Sequence, residues 1–180
     1  DAIIIWTKIT KSSNSTINVK WQFSDKKNFS NIINSGLVKS YSHNDFSVKV
    51  DSKIPMKYCG KEIYYRFCAN NIFSITGTTK TLPKNDPSKF NIAICSCSNY
   101  PGGYFNAYKE IANDNNIDLV LHLGDYLYEY DKDGYATEDS EKMRRVVDPP
   151  HETVTLDDYR KRHALYKTDE DLQLLHSSKA

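Results

Sequence analysis

The sequence predicts a chain of two parts, an all-β sandwich over residues 1–84 followed by a partial α/β domain over residues 85–180. The first part contains segments in which apolar and polar residues alternate between Ser, Asn and Gly turns, a pattern typical of sandwich strands. The second part contains two short apolar runs on either side of a helical pattern, which is typical of a βαβ unit. Between them, residues 81–87 contain two prolines among Asn, Asp and Lys, which predicts a linker.

The β part is predicted from its alternating segments. These are residues 17–23, 46–50 and 63–67. Because successive side chains on a strand point to opposite faces, we expect Ile63, Tyr65 and Phe67 to share the inner face. Trp21 is a candidate for packing between the two sheets. Cys59 and Cys68 belong to this part, and the sequence leaves open whether they form a disulfide or remain two free thiols.

The α/β part is predicted from the apolar runs at residues 90–94 and 117–123, with a helix over 104–113 between them. A crossover helix makes the two strands parallel, so their carboxyl ends lie at the same edge of the sheet. Cys97 and Asp125 follow those ends and are expected side by side, where open α/β sheets bind ligands. Further along, Thr155 and Thr168 begin segments that predict two more helices, ending near Tyr166 and His176.

A thiol, a carboxylate and a phenol could meet at this edge of the sheet. If residues 125–128 form one turn, Tyr128 returns to the face that carries Asp125. Each residue also has a simpler interpretation: Asp125 as a turn former, Cys97 as a small buried apolar residue, and Tyr128 as a packed ring. Their convergence favours a metal site and hence a metal-dependent hydrolase. Cys95 and Cys97 alone form a poor zinc or redox signature because no second ligand pair accompanies them.

Four ordered blocks of this sequence resemble the PhoD-like alkaline phosphatase family, which comprises phosphomonoesterases and phosphodiesterases of the metallophosphoesterase class. The blocks are Ser96-Cys97-Ser98-Asn99-Tyr100 with Gly103 to Tyr108, Asp118 to Tyr130, Thr155 to Tyr166, and Leu172 to His176. The first part resembles the family's N-terminal, fibronectin III-like module through Trp6-Thr7-Lys8, Tyr64 to Phe67 and Thr79 to Pro83.

The resemblance implies a site for Fe3+ and Ca2+. Cys97, Asp125 and Tyr128 would bind the ferric ion, and Asp125 would also bridge towards calcium, which accepts oxygen ligands only. Phosphate esters would be cleaved by hydroxide activated by the metals rather than by a side-chain nucleophile. Arg145 is a candidate contact for substrate phosphate, although a solvated basic pair with Arg144, balancing the acidic residues 131–141, is the simpler interpretation.

The family pattern continues after His176 with further Asp and His ligands that this sequence does not contain. We therefore expect the chain to be an incomplete portion that is inactive alone and partners with the missing C-terminal half. The alternative is a catalytically inactive remnant or a binding module. The family implies an extracytoplasmic location. His122, His151, His163 and His176 are expected to be structural, and the alternative for His122 is a role next to the ligands.

The charge and hydropathy of the chain exclude other classes of partner. The formal net charge is +1, from 24 basic and 23 acidic residues, which gives no field that would recruit nucleic acid. No apolar run approaches the roughly 20 residues that a membrane span requires.

Overall fold

In the computed structural model, which describes residues 2–10 and 15–179, the chain folds into two compact units. The first unit ends at Lys89 and the second extends from Phe90 to Lys179. The division falls shortly after the predicted linker at residues 81–87. Asp1 and Ala180, the predicted outer limits of the two parts, lie outside the described residues.

The first unit consists of antiparallel β-sheet. Its strands are β1 (Ala2–Lys8), β2 (Ile17–Ser24), β3 (Ile32–Ser40), β4 (Ser47–Lys53), β5 (Glu62–Ala69), β6 (Ile72–Phe73) and β7 (Gly77–Lys80). Strands β1 and β4 form one sheet, and β3, β2, β5 and β6 form the other, in which β7 also pairs with β5.

The two sheets share one hydrophobic core. The small sheet contributes Ile5 and Val50, and the large sheet contributes Val19, Phe23 and Ile63, all buried. Burying a side chain of this kind stabilises the fold by about 1.5–3 kcal/mol. Two sheets around a common core is the arrangement that a β-sandwich requires. The finer, fibronectin III-like assignment remains a prediction.

Two aromatic rings cover glycines on neighbouring strands of the large sheet. A Cβ atom at Gly36 would lie 2.6 Å from the Trp21 ring, and one at Gly77 would overlap the Tyr65 ring. Trp21 also packs against the core, but its ring lies over β3 of its own sheet. Tyr65 is only half-buried, whereas Ile63 and Phe67 are buried as expected.

The second unit is built from short strands and helices. They are β8 (Ile92–Cys95), α1 (Asn106–Asn113), β9 (Leu119–His122), α2 (Ser140–Met143), α3 (Leu156–Tyr166) and α4 (Glu170–Ser178). Strands β8 and β9 pair in parallel, with Ile92 opposite Leu119 and Cys95 opposite His122. Helix α1 lies between them in the chain, so the carboxyl ends of both strands reach the same edge.

Helices α3 and α4 begin at side-chain caps. Thr155 and Asp158 form a reciprocal capping box at the start of α3, and Asp169 accepts the Leu172 N–H at the start of α4. The buried residues of α3 are Asp158, Arg162 and Tyr166, a polar face that a search for apolar periodicity does not detect.

The core of the second unit is largely aromatic. Its buried members are Tyr100, Phe105, Tyr108, Ala112, Tyr166, Leu172 and Leu175. The described residues contain no disulfide, so Cys59 and Cys68 are not joined to each other. Among the described residues, no helix combines the length and the apolar character needed to cross a membrane.

Candidate metal centre

Two tight turns follow the parallel strands and carry Cys97 and Asp125. Both residues have a left-handed backbone, with φ of 61° and 53°, which costs a residue with a side chain roughly 1–2 kcal/mol. The turns are joined by two backbone hydrogen bonds. The Cys97 N–H donates to the Gly124 carbonyl at 3.2 Å, and the Ser98 N–H donates to the Asp125 carbonyl at 2.8 Å. The paired turns therefore fix where the two side chains begin.

The side chains of Cys97, Asp125 and Tyr128 meet at this edge of the sheet. The Tyr128 hydroxyl donates to Asp125 Oδ2 at 3.1 Å. The Cys97 thiol lies 3.7 Å from the same oxygen. Cys97 and Asp125 are exposed and Tyr128 is half-buried, so all three donor atoms are close together and open to solvent.

Hydrogen bonding within this group holds the phenol in its neutral form. Contact with Cys97, then desolvation and contact with Asp125, raise the pKa of Tyr128 above its ordinary value of 10.0. A bound cation reverses this preference because it stabilises the anionic forms of its ligands. Metal binding at this site would therefore release the proton of the Tyr128 phenol.

The chemistry of the donor set fits a metal. Among the described residues, no three or more His, Cys, Asp or Glu side chains form a group able to hold a metal, so Tyr128 has to supply the third donor here. Thiolate and phenolate are anionic donors suited to a strongly Lewis-acidic transition metal, whereas a carboxylate oxygen also suits calcium. Asp125 is thus the member that could serve two ions.

A hydrogen-bonded network lies beneath the two turns. His122 Nε2 is 2.9 Å from Ser98 Oγ and 3.0 Å from Tyr108 Oη. Ser98 and Tyr108 also contact each other through their hydroxyl groups, and both are buried. Desolvation lowers the pKa of His122 despite the opposing charge of Asp125, which favours the neutral ring.

Arg162 anchors the segment that begins at Tyr128. Its guanidinium is almost fully buried and donates to four backbone carbonyls, those of Tyr128, Tyr130, Asp148 and Pro149, at distances of 2.5–3.2 Å. The sequence patterns gave Arg162 no role. The available signal was its i+4 spacing from Asp158 on the inner face of α3.

Arg145 is buried and already has partners. Its Nη1 atom pairs with Asp169 Oδ2 at 2.7 Å, its Nε atom donates to the Tyr100 carbonyl at 2.7 Å, and its guanidinium stacks on the Tyr100 ring. The Nη2 atom has no hydrogen-bond partner among the described residues. No described contact brings Arg145 to Cys97, Asp125 or Tyr128, so its contact with phosphate remains a prediction.

The three other histidines of the second unit contact neighbouring polar and aromatic side chains. His151 pairs with Asp158 at 3.1 Å, and the His163 ring lies against Tyr126. His176 stacks on Tyr126 and approaches Lys167 Nζ at 2.8 Å. Desolvation by these neighbours and the charge of Lys167 lower the pKa of His176 to about 4.

Comparisons with known proteins identify the class. Residues 92–180 match the sequence model of PhoD-like phosphatases, and residues 1–83 match that of the N-terminal domain of PhoD-like phosphatases. The two matches account for nearly the whole chain. The chain belongs to the PhoD-like phosphatase family, as the four sequence blocks predicted.

Particular relatives place the chain within this family. Alkaline phosphatase D of Bacillus subtilis (strain 168) is 33% identical over 190 residues, an alignment that covers 99% of this chain and 31% of that protein. A solved structure of PhoD is 32% identical, with a TM-score of 0.86, and the match covers 99% of this chain and 35% of that chain. The chain therefore spans about a third of the length of these relatives.

Proposed function

We propose that this chain forms part of a metal-dependent phosphoric ester hydrolase acting on phosphomonoesters or phosphodiesters. The observation that carries the proposal is the meeting of a thiol and a phenol around Asp125 Oδ2, at 3.7 and 3.1 Å. The family relationship supports the reaction class, since the relative from B. subtilis is an alkaline phosphatase.

Cys97 and Tyr128 would hold a ferric ion, and Asp125 would bridge between iron and calcium. Bound metals supply Lewis acidity towards the phosphoryl group and acidify a coordinated water. The residues of this chain would contribute the anionic ligands. Tyr128 would give up its proton if a metal bound, and Cys97 and Asp125 are exposed, so their donor atoms are accessible from solvent.

Further ligands and the remainder of the domain would come from a C-terminal portion of the kind that the longer relatives contain. The donors from this chain leave the iron shell incomplete, because a transition metal of this kind commonly takes more ligands than Cys97, Asp125 and Tyr128 supply. We therefore propose that residues 1–180 alone bind iron weakly and do not turn over phosphate esters. By its family the complete protein would act outside the cytoplasm.

The experiment that tests the function is a chimera in which this chain replaces the matching segment of B. subtilis alkaline phosphatase D. The chimera should hydrolyse p-nitrophenyl phosphate or its bis ester when iron and calcium are supplied. Cys97→Ala or Asp125→Asn should lower the rate by more than about 100-fold, which is the upper range for residues next to metal ligands. Cys59→Ala, a thiol variant in the first unit, serves as the matched control.

A folded chimera whose rate is unchanged by Cys97→Ala or Asp125→Asn would remove these residues from the metal site. A folded chimera that is inactive throughout would favour the alternative, a catalytically inactive binding module. The chimera is needed because the described residues of this chain supply only part of any complete ligand shell.

A further inference from the structure

We propose that His122 is a positioning residue that holds together the two turns carrying Cys97 and Asp125. The metal-binding consequence rests on the proposed function, whereas the clamp itself rests on the geometry of the metal-free protein. His122 is the last residue of β9, and its ring contacts residues next to both proposed ligands.

The two nitrogens of the His122 ring face the two turns. Nε2 contacts the hydroxyl of Ser98, the residue after Cys97, at 2.9 Å. Nδ1 accepts a long hydrogen bond, 3.4 Å, from the N–H of Gly124, the residue before Asp125. One imidazole therefore spans the gap between the two ligand-bearing turns.

These contacts define the tautomer of the ring. Because Nδ1 accepts the Gly124 N–H, the ring proton resides on Nε2. That proton is donated to Ser98 Oγ or to Tyr108 Oη, which lies 3.0 Å away on α1. The clamp thus extends from β9 through the first turn to the crossover helix.

The backbone conformation of the two turns needs contacts that hold it in place. Cys97 and Asp125 both adopt left-handed φ values, which residues with a side chain seldom adopt. Such a conformation persists when surrounding contacts hold it. Ser98 supplies two of these contacts, its backbone N–H to Asp125 and its buried hydroxyl to His122.

Two conservative variants separate the halves of the clamp. In His122→Asn, the amide oxygen can replace Nδ1 and keep the Gly124 contact, while the reach to Ser98 is lost. In His122→Gln, the longer amide can reach Ser98, while the Gly124 contact is lost. Ser98→Ala removes the other partner without altering the histidine, and His43→Asn in the first unit is the matched control.

The first measurement is amide hydrogen exchange of the metal-free chain, resolved by NMR. We expect the Gly124 amide to exchange about five-fold faster in His122→Gln, as for the loss of one ordinary hydrogen bond. The same amide should keep near-parental exchange in His122→Asn, whereas Ser98 should exchange faster there. His43→Asn should leave both amides unchanged.

The second measurement is titration with ferric ion, followed by the visible charge-transfer absorption of a ferric phenolate. Both His122 variants and Ser98→Ala should bind iron about 10- to 100-fold more weakly than the parent, the range for residues that orient metal ligands. Equal exchange rates in the parent, both His122 variants and Ser98→Ala, with all of them folded by circular dichroism, would overturn the clamp. If the parent gives no ferric phenolate band while the exchange differences persist, the clamp stands and the proposed metal site fails.

Discussion

Arg162 shows how a single buried residue supports the proposed centre. It fixes the carbonyl of Tyr128 and, through three further carbonyls, the chain that follows. Desolvation lowers the pKa of its guanidinium, while neighbouring acidic groups oppose the shift. Buried polar groups of this kind are stable only while every partner remains in place.

Replacing Arg162 should therefore destabilise the second unit. Arg162→Met removes the donor from one buried and three partly buried carbonyl hydrogen bonds, and a carbonyl left buried without a donor costs about 1–3 kcal/mol. We expect the free energy of unfolding to fall by about 3 kcal/mol or more, measured by urea denaturation.

Arg160→Met provides the control, since the Arg160 side chain is partly exposed on the same helix and pairs with the exposed Asp157. A loss in Arg162→Met no greater than that in Arg160→Met would show that the four carbonyl contacts contribute little.

At this scale the sequence predicts which polar side chains meet better than it predicts the residues that hold them in place. Cys97, Asp125 and Tyr128 were predicted to meet because each follows a strand end at a defined spacing. Arg162 and Ser98 were not singled out. Arginine and serine are ordinarily surface residues, and no sequence pattern around them indicates that they are buried here. Their partners are distant in sequence, as with Arg162 and Tyr128.

At the scale of elements, the large sheet depends on rings packed over glycines. Gly77 on β7 lies under Tyr65 of β5, and a Cβ atom there would overlap the ring. The glycine is thus needed for close approach rather than for an unusual backbone angle.

Gly77→Ala should destabilise the first unit by about 1–3 kcal/mol, the usual effect of overpacking, measured by thermal or urea unfolding. Gly103→Ala is the matched control, because a Cβ atom there meets nothing within 4 Å. Equal stability of Gly77→Ala and the parent would mean that the Tyr65 ring moves aside without loss.

The junction of α3 and α4 contains a half-buried lysine, Lys167. Lys167 Nζ lies 2.8 Å from both the Tyr126 hydroxyl and His176 Nδ1. Desolvation lowers the pKa of Lys167 from 10.5 to about 8. Below about pH 8 the folded unit therefore keeps a charged lysine in a desolvated place.

This shift predicts how stability depends on pH. Between about pH 8 and 10.5 the unfolded chain binds more protons at Lys167 than the folded chain, so this residue's contribution becomes more favourable as pH rises. The stability of the parent relative to Lys167→Met should increase from about pH 7 to about pH 10 in urea titrations.

Comparing the parent with this variant cancels the titrations that the two proteins share. Cys95 and Tyr108, with pKa values raised mainly by desolvation, act in the opposite direction at high pH in both. A stability difference that stays constant over the same pH range would contradict the lowered pKa.

The elements themselves were predicted unevenly. Strands with clear alternation, such as β2 and β5, and the capped helix α3 were predicted close to their observed positions. Strand β3 was not predicted, because its polar residues and Gly36 weaken the alternation, and it is defined instead by pairing with β2. Trp21 packs over this neighbour rather than solely across the core, which only the register reveals.

At the scale of the whole molecule, the sheet formed by β8 and β9 is incomplete. Parallel sheets are ordinarily covered on both faces, yet Ile94 and Leu123 are 64% and 70% exposed, and Ile92 and Leu121 are exposed as well. In the described part of the chain, this sheet has two strands only. The relatives are about three times as long, and we expect their additional chain to cover this surface.

The exposed apolar strip should make the isolated chain self-associate. Ile94→Lys should shift sedimentation towards monomer, with little change in the free energy of unfolding because the side chain is already exposed. Lys109→Ile on α1, which places an apolar residue at another exposed position, tests whether general hydrophobicity is responsible. Unchanged association in Ile94→Lys would assign the contact to another surface.

X-ray absorption at the iron edge of the ferric-loaded chain tests directly whether Cys97, Asp125 and Tyr128 bind one metal. A metal shared by these three residues predicts one sulfur neighbour that disappears in Cys97→Ser and remains in Cys95→Ser. A spectrum without sulfur, or one in which the sulfur is lost with Cys95 instead, would contradict it.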